Sequence, residues 1–312
     1  MPSLAIKSSY CSEESYTIVG GGFGLYGYLP ALIRGNRLVT LPSKYRAIVR
    51  ARRELGEFDS RVTWVPTLND ALEKSTGVVI AVTPGAQVKY VEQILRCHNN
   101  VEQFILEKPL APSPSEAGRL LGLFELNSKA IRVGFVFGRT EWAERAISAA
   151  RGSRYLRINW QFMAHHYTCD TPTWKRDRLL GGGAVRFYGI HLIALLCEIG
   201  YRRVLWSRLS IVNAQDVCGW TACFCGDGLA TCVVELNSFS PQSSFEIWGD
   251  SCCEVKLIDP FEAQNCSSPA EDRRVPCLLR LLCEKNFDDI SIFKSINSLW
   301  ELVESKSQII SG

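Results

Sequence analysis

The chain has 312 residues, 46% hydrophobic and 21% charged, with a formal net charge of +3. A chain of that length and composition buries a substantial core and divides into two domains, and so weak a field excludes nucleic acid as the main partner. Thirteen cysteines, an odd number without a secretory signal, read as reduced thiols and argue against a disulfide framework.

Residues 1–16 carry Lys7, Glu13 and Glu14 without a long apolar run, and no stretch of about 18 apolar residues is expected further on. Neither a signal peptide nor a membrane anchor is therefore expected, and the expected compartment is the cytoplasm. The densest cysteine group is Cys218, Cys223, Cys225 and Cys232, but paired CxxC knuckles are missing. The local alternation is that of strands, so Cys223 and Cys225 should share a sheet face as small hydrophobes, and no metal is expected.

Residues 16–19 form a β-rich run that leads into Gly20-Gly21-Gly22-Phe23-Gly24-Leu25-Tyr26-Gly27 and then a helical pattern through Leu29, Leu32 and Ile33. Strand, glycine turn and helix form the opening of a dinucleotide fold, in which the backbone approaches a pyrophosphate and the helix N-terminus faces it. Gly20, Gly22, Phe23 and Gly24 are the candidate contacts. Two registers of GxGxxG stay open: Gly22, Gly24 and Gly27 fit literally, whereas counting from the strand end places Gly20 and Gly22 correctly and Leu25 third.

A second strand, 37–41, ends at Pro42, Ser43, Lys44 and Arg46. NAD enzymes place an acidic residue there for the ribose 2′-hydroxyl, yet none occurs between Asn36 and Arg53. Ser43, Lys44 and Arg46 suit a 2′-phosphate, which favours NADP(H) over NAD(H). The competing possibility is a solvated basic helix start continued by Arg50, Arg52 and Arg53.

The alternation continues with strand 62–65, helix 68–74 and a wholly apolar strand, 77–82, of the type buried in a parallel sheet. That strand ends in Thr83-Pro84, which should face the cofactor, because ligands bind outside the carboxyl ends of such strands. Helix 88–97, strand 104–106 ending in Glu107-Lys108-Pro109, helix 115–126 and strand 131–137 complete the first half. The expected class is α/β, with a Rossmann domain over 1–137 and an α+β domain with a predominantly antiparallel open sheet over 138–312.

These segments together resemble the Gfo/Idh/MocA family, named for glucose–fructose oxidoreductase and inositol dehydrogenase, over most of the chain. The resemblance rests on the glycine turn with Leu29-Pro30-Ala31-Leu32, on Val79-Ile80-Ala81-Val82-Thr83-Pro84, and on Glu107-Lys108-Pro109-Leu110. A fourth part is Trp174-Lys175-Arg176-Asp177 ahead of Gly181-Gly182-Gly183-Ala184-Val185 and Gly189-Ile190-His191. The resemblance implies that Lys108 lies beside nicotinamide and substrate, that His191 is the general acid or base, and that Trp174 and Phe187 border the substrate. It also implies an NAD(P)-dependent oxidoreductase acting on CH–OH or C=O groups of a carbohydrate or nucleotide sugar.

Two departures accompany the match. Many members carry an aspartate one helical turn before the histidine, where this chain has Phe187, and a histidine common after Thr83-Pro84 is replaced by Val88. The lost carboxylate leaves open reduction of a C=N bond in a small metabolite, or a regulatory protein that senses the dinucleotide without turnover.

In the second half, 155–162, 208–213, 221–225, 230–236, 245–248 and 254–257 read as strands. The face such a sheet leaves open predicts a homodimer or homotetramer. Helix 290–305 carries Ile292, Ile296, Leu299 and Val303 as a core-facing stripe. His165 and His166, beside Tyr167, are candidates for a loop roofing the substrate. Cys169 and Asp170 are too crowded with them in sequence to predict a metal site.

Overall fold

The computed structural model describes residues 14–97, 99–250, 252–262, 264, 266, 269–284 and 289–310, so the segment with Lys7 and Glu13 lies outside the described residues. Its first sheet is built from β1 (Ser15–Val19), β2 (Leu38–Pro42), β3 (Val62–Val65), β4 (Gly77–Ile80), β5 (Gln103–Leu106) and β6 (Ala130–Val133). The spatial order is β3-β2-β1-β4-β5-β6 and every pairing is parallel. All four residues of β4 are buried, as a strand covered by helices on both faces requires.

The order reverses direction between β1 and β4, which makes the crevice above their carboxyl ends the ligand position of this architecture. The connecting helices start where local chemistry satisfies their free N–H groups. Thr67 and Asp70 form a reciprocal capping box at the helix Leu68–Glu73. The helix Pro84–Arg96 begins four residues before the expected position 88, because Pro84 lacks the N–H that a first helical residue would leave unpaired. The sixth strand stops at Val133 rather than 137, and a short helical turn, Phe137–Arg139, follows.

The second sheet contains β7 (Tyr155–Met163), β8 (Arg203–Ile211), β9 (Val217–Cys225), β10 (Thr231–Asn237), β11 (Phe239–Trp248), β12 (Cys253–Leu257) and β13 (Ser307–Ile310). Its order is β12-β11-β7-β10-β9-β8-β13. It is mostly antiparallel, with two parallel pairs, β7 with β10 and β8 with β13. Sequence periodicity placed only 208–213 and 245–248 on β8 and β11. The extra residues include exposed Leu205 and Phe239 and the poor strand former Pro241; pairs such as Val204 with Phe224 and Phe239 with Met163 extend the strands, with register shifts at Leu205 and around Pro241. The edge strand β13 was not expected from the sequence at all.

The run Arg178–Ile199 corrects the expectation that no membrane-length apolar stretch occurs, since it is long and apolar enough by length and composition. However, 72% of its apolar window is buried inside the protein. Its last part, the helix Ile190–Ile199, is covered nearly all round, so it has no polar face to interrupt the pattern. Residues far beyond 137 also contribute to the core beside the first sheet. Val275, Leu278 and Leu281 of the helix Val275–Cys283 join the apolar cluster containing Leu29 and Leu32 of the helix Leu29–Arg34. The distal part of the chain thereby returns to the first sheet beside the glycine turn.

Candidate functional site

The glycine turn leaves β1 at Gly20, whose φ of +132° and close approach to the Ala81 carbonyl exclude a Cβ. Gly22 has nothing within 4 Å of where a Cβ would stand, and it borders the crevice. Gly24 lies where a Cβ would meet the Ile18 side chain at 2.8 Å, so its role is close helix–strand packing. The three glycine functions of a dinucleotide turn, bending, exposure and packing, therefore fall on Gly20, Gly22 and Gly24. Spacing alone left two registers because a wide turn with i→i+5 hydrogen bonds, Gly24–Tyr28, begins the helix and shifts the count. Gly27 is required for a separate reason, because the Phe23 ring occupies the space of its side chain.

At the end of β2 the candidate phosphate residues are differently committed. The Ser43 hydroxyl donates to the Val65 carbonyl at 2.9 Å. Arg46 and Arg50 both bind Asp59, at 3.1 and 2.8 Å, and Arg46 also stacks 5.7 Å from the Trp64 ring. Lys44 is exposed and, among the described residues, has no carboxylate partner; its ammonium lies 5.1 Å from the Tyr45 ring. Tyr45 in turn places its Oη to accept from the Gly20 N–H at 3.1 Å, tying the start of the glycine turn to the end of β2.

The turn after β5 is held by a residue the sequence reading passed over. Gln87, 1% exposed, accepts at Oε1 from the Glu107 N–H at 3.0 Å. Its Nε2 faces the carbonyls of Glu107, Pro109 and Leu110 at 2.8, 3.2 and 3.0 Å. Glu107 is further fixed by the Tyr28 hydroxyl, which donates to its carboxylate at 2.9 Å. Burial raises the Glu107 carboxyl, while the charges of Lys108 and Arg274 act in the opposite direction.

Lys108 is 8% exposed, so it is not a solvated loop lysine. Its Nζ donates to the Phe187 carbonyl at 2.7 Å and lies 3.8 Å from the centre of the Phe187 ring. Burial pushes its ammonium down to about 7; Glu107 opposes that shift, and Arg274 and Lys175 reinforce it. Phe187 sits in a second wide turn, Ala184–Gly189, immediately before the helix that carries His191. Where relatives of the resembled family place a carboxylate, this chain thus offers Lys108 a backbone carbonyl and an aromatic face.

His191 is 5% exposed and its ring stacks on Phe137 at 4.8 Å and 14°. Burial holds its pKa well below the usual imidazole range, with Lys108 and Arg274 adding to the shift. Among the described residues its Nδ1 has no hydrogen-bond partner, and it is not among the residues bordering the cleft. His166, on the short helix His165–Thr168, is also buried and is lowered to about 4, mainly by desolvation. The Cys169 sulfur lies 3.5 Å from His165, and Asp170 pairs with Arg176 at 3.0 Å.

The cleft itself occupies about 740 Å³, open mouth included, above β1, β4 and β5. Gly22, Phe23, Thr83, Glu107 and Lys108 border it from the first sheet; Trp174 and Phe187 border it from the second half. Pro84 is instead buried against Gly181, and Gly20, Gly24, Ser43, Lys44 and Arg46 lie outside the lining. Two charged lining residues, Lys175 and Arg274, were absent from the sequence candidates, as were Tyr26, Ala81 and Val82. Lys175 stood inside a quoted motif, but Arg274 is remote in sequence and reaches the glycine turn only because the helix Val275–Cys283 packs there.

No family profile and no curated protein matches the sequence. Similar solved structures exist at low identity. A 3-ketoreductase from Actinomadura kijaniata, in complex with NADP and TDP-benzene, shares 14% identity over 96% of this chain and 99% of its own, with a TM-score of 0.64. The WlbA dehydrogenase from Bordetella pertussis, in complex with NADH and UDP-GlcNAcA, shares 15% over 93% and 94%, at 0.67. An oxidoreductase from Thermotoga maritima shares 17% over 94% and 96%, at 0.65. The chain therefore has the two-sheet fold of these oxidoreductases, a parallel Rossmann-like sheet joined to a mostly antiparallel one.

Proposed function

We propose that the chain is an NAD(P)-dependent oxidoreductase acting on a ketone or alcohol of a carbohydrate or nucleotide sugar. The observation that carries this is the convergence, at the strand-order reversal, of an unobstructed Gly22, the end of β4 and the buried amine of Lys108 on one cleft. The open space at Gly22 is what a pyrophosphate against the backbone needs, so the residues present fit a dinucleotide. Gly22 and Phe23 would border its phosphates, with Gly20 and Gly24 shaping the turn behind them, and Thr83, Glu107 and Lys108 would border its nicotinamide end. When bound, the dinucleotide supplies or accepts a hydride.

The chain's own contribution is proton handling and positioning. Lys108 exchanges a proton at Nζ with the substrate oxygen, and a group that titrates near neutrality is suited to do so in both directions. Gln87 and Tyr28 fix the turn from which Lys108 projects. The Phe187 and Trp174 rings exclude water from one side of the cleft, meeting edge to face at 5.2 Å. His191 is 5% exposed and outside the cleft lining, so substrate contact by it would require the side chains that cover it to move.

NADP(H) is the preferred cofactor in this proposal. The support is the missing acidic residue at the end of β2 and the exposed Lys44, which has no carboxylate partner among the described residues. The commitment of Ser43 and Arg46 to protein partners makes that preference depend on Lys44. A second copy of the chain is proposed to cover the outer face of the second sheet, where Tyr155, Leu205 and Trp248 are exposed. A specific observation favours a second reading, a dinucleotide sensor without turnover: Lys108 is already bonded to Phe187, and His191 faces no cleft.

Parallel calorimetric titrations with NADPH and NADH, followed by a screen of keto-sugars for NADPH oxidation, test the proposal. Binding with turnover, lost in Lys108→Ala while cofactor affinity persists, is the expected result. Binding without turnover favours the sensor, and absence of both bindings sinks the dinucleotide reading.

A further inference from the structure

The charges around the cleft do not balance. Three cations, Lys108, Lys175 and Arg274, border it against two carboxylates, Glu107 in its lining and Asp272 behind Arg274, among the described residues. Arg274 is held rigidly, with its Nε and Nη2 donating to Asp272 at 2.8 and 2.7 Å and its guanidinium 3.9 Å from the Phe23 ring. Among the described residues nothing accepts from its Nη1. Lys175 is half-buried and, among the described residues, has neither a hydrogen-bond acceptor nor an ion-pair partner; its ammonium lies 5.2 Å from the Phe187 ring.

Desolvated cations sharing one cleft destabilise one another unless an anion joins them. The charge on Arg274 disfavours protonation of both Lys175 and Lys108, which places the three within one electrostatic neighbourhood. The rigid fork of Arg274, paired on one edge with Asp272, leaves its other edge for an oxyanion, and guanidinium geometry matches carboxylate and phosphoryl oxygens. The location is also informative. Arg274 is electrostatically coupled to Glu107 and Lys108 at the end of β5, the reacting end of the crevice.

We infer that the substrate carries an anionic group, a carboxylate or a phosphoryl, which Arg274 and Lys175 bind beside Lys108. This rests on the oxidoreductase reading of the same cleft and narrows its substrate to acidic or phosphorylated compounds. The anion would give Lys175 the counter-charge it lacks, use the free edge of Arg274 and, by its negative charge, raise the proton affinity of Lys108 where the proton is exchanged.

The test is calorimetry of D-glucuronate, inorganic phosphate and uncharged D-glucose at millimolar concentrations. Each is titrated into wild type, Lys175→Gln and the charge-balanced double variant Asp272→Asn/Arg274→Gln, with NADPH and NADH titrated into the same samples. The expected result is that at least one anion binds wild type at least tenfold more tightly than glucose, and that each variant loses at least tenfold of that affinity. Lys175→Gln, which breaks no hydrogen bond or ion pair among the described residues and loses only the ring contact with Phe187, keeps the result interpretable if the double variant does not fold. Equal binding of glucose and both anions, no anion binding at all, or full anion affinity in the variants overturns the inference. A tenfold loss of dinucleotide affinity with anion binding intact also overturns it, by assigning the cations to the cofactor's phosphates. Failure of both dinucleotides to bind wild type counts separately, against the oxidoreductase reading.

Discussion

Replacing Gln87 by leucine isolates the contribution of one buried amide to the shape of the candidate site. The two side chains are similar in size, so Gln87→Leu leaves no large cavity and removes only polar contacts. Two amide hydrogens now serve three carbonyls, those of Glu107, Pro109 and Leu110, at 2.8 to 3.2 Å. The Glu107 N–H loses Oε1 but keeps the Ile80 carbonyl at 3.0 Å, so it adds little. Each of the two donors removed costs about 1 to 2 kcal/mol once the stranded carbonyls are included, giving a total of about 3 kcal/mol. Urea unfolding of wild type and variant at one pH reads that difference through the midpoint at constant slope. A stability loss below about 0.5 kcal/mol, the range of an ordinary surface substitution, would refute the clamp. Gln87→Glu adds a signed control. Its carboxylate would face carbonyls, so its folded pKa lies above the unfolded value. Stability present below the unfolded pKa is then lost as pH rises, and the deficit relative to Gln87→Leu grows from about pH 5 to 8.

The glycine register predicts opposite phenotypes for adjacent substitutions. Gly20→Ala should destabilise the fold by more than about 2 kcal/mol, because its φ and the Ala81 carbonyl both oppose a Cβ. Gly22→Ala should unfold like wild type yet bind dinucleotide at least tenfold more weakly by calorimetry. At the end of β2, Lys44→Ala should weaken NADPH by about tenfold and leave NADH unchanged, while Asp59→Asn, which releases Arg46 and Arg50, should tighten NADPH. Lys108 should be half-labelled by an amine-acylating reagent near pH 7, followed by peptide mass spectrometry. Since Lys175 and Arg274 lower its proton affinity, Lys175→Gln should move that midpoint upward; a downward or absent movement contradicts the assigned coupling.

The alternation of short apolar strands with helices was sufficient for the first sheet, because a strand buried on both faces must be apolar throughout and a helix on its surface must be periodic. Lys108 and Phe187 were singled out by the family resemblance, whereas the same local rules marked Gly20 and Gly22 at a strand end. They failed where pairing rather than propensity holds the chain extended, as at β13 and the early part of β11. They failed also at the helix Ile190–Ile199, since complete burial erases the polar face that separates a core helix from a membrane span.

The sequence by itself determined which residues punctuate strand ends and which types of chemistry they carry, since turns, caps and apolar periods are properties of neighbouring residues. Only the tertiary structure decided which of those residues meet. Gln87 clamps a turn 20 residues away, Arg274 reaches a glycine turn some 250 positions earlier through helix packing, and His191 is sealed against Phe137. These outcomes depend on how elements dock and what their docking excludes from water, and no local pattern encodes that.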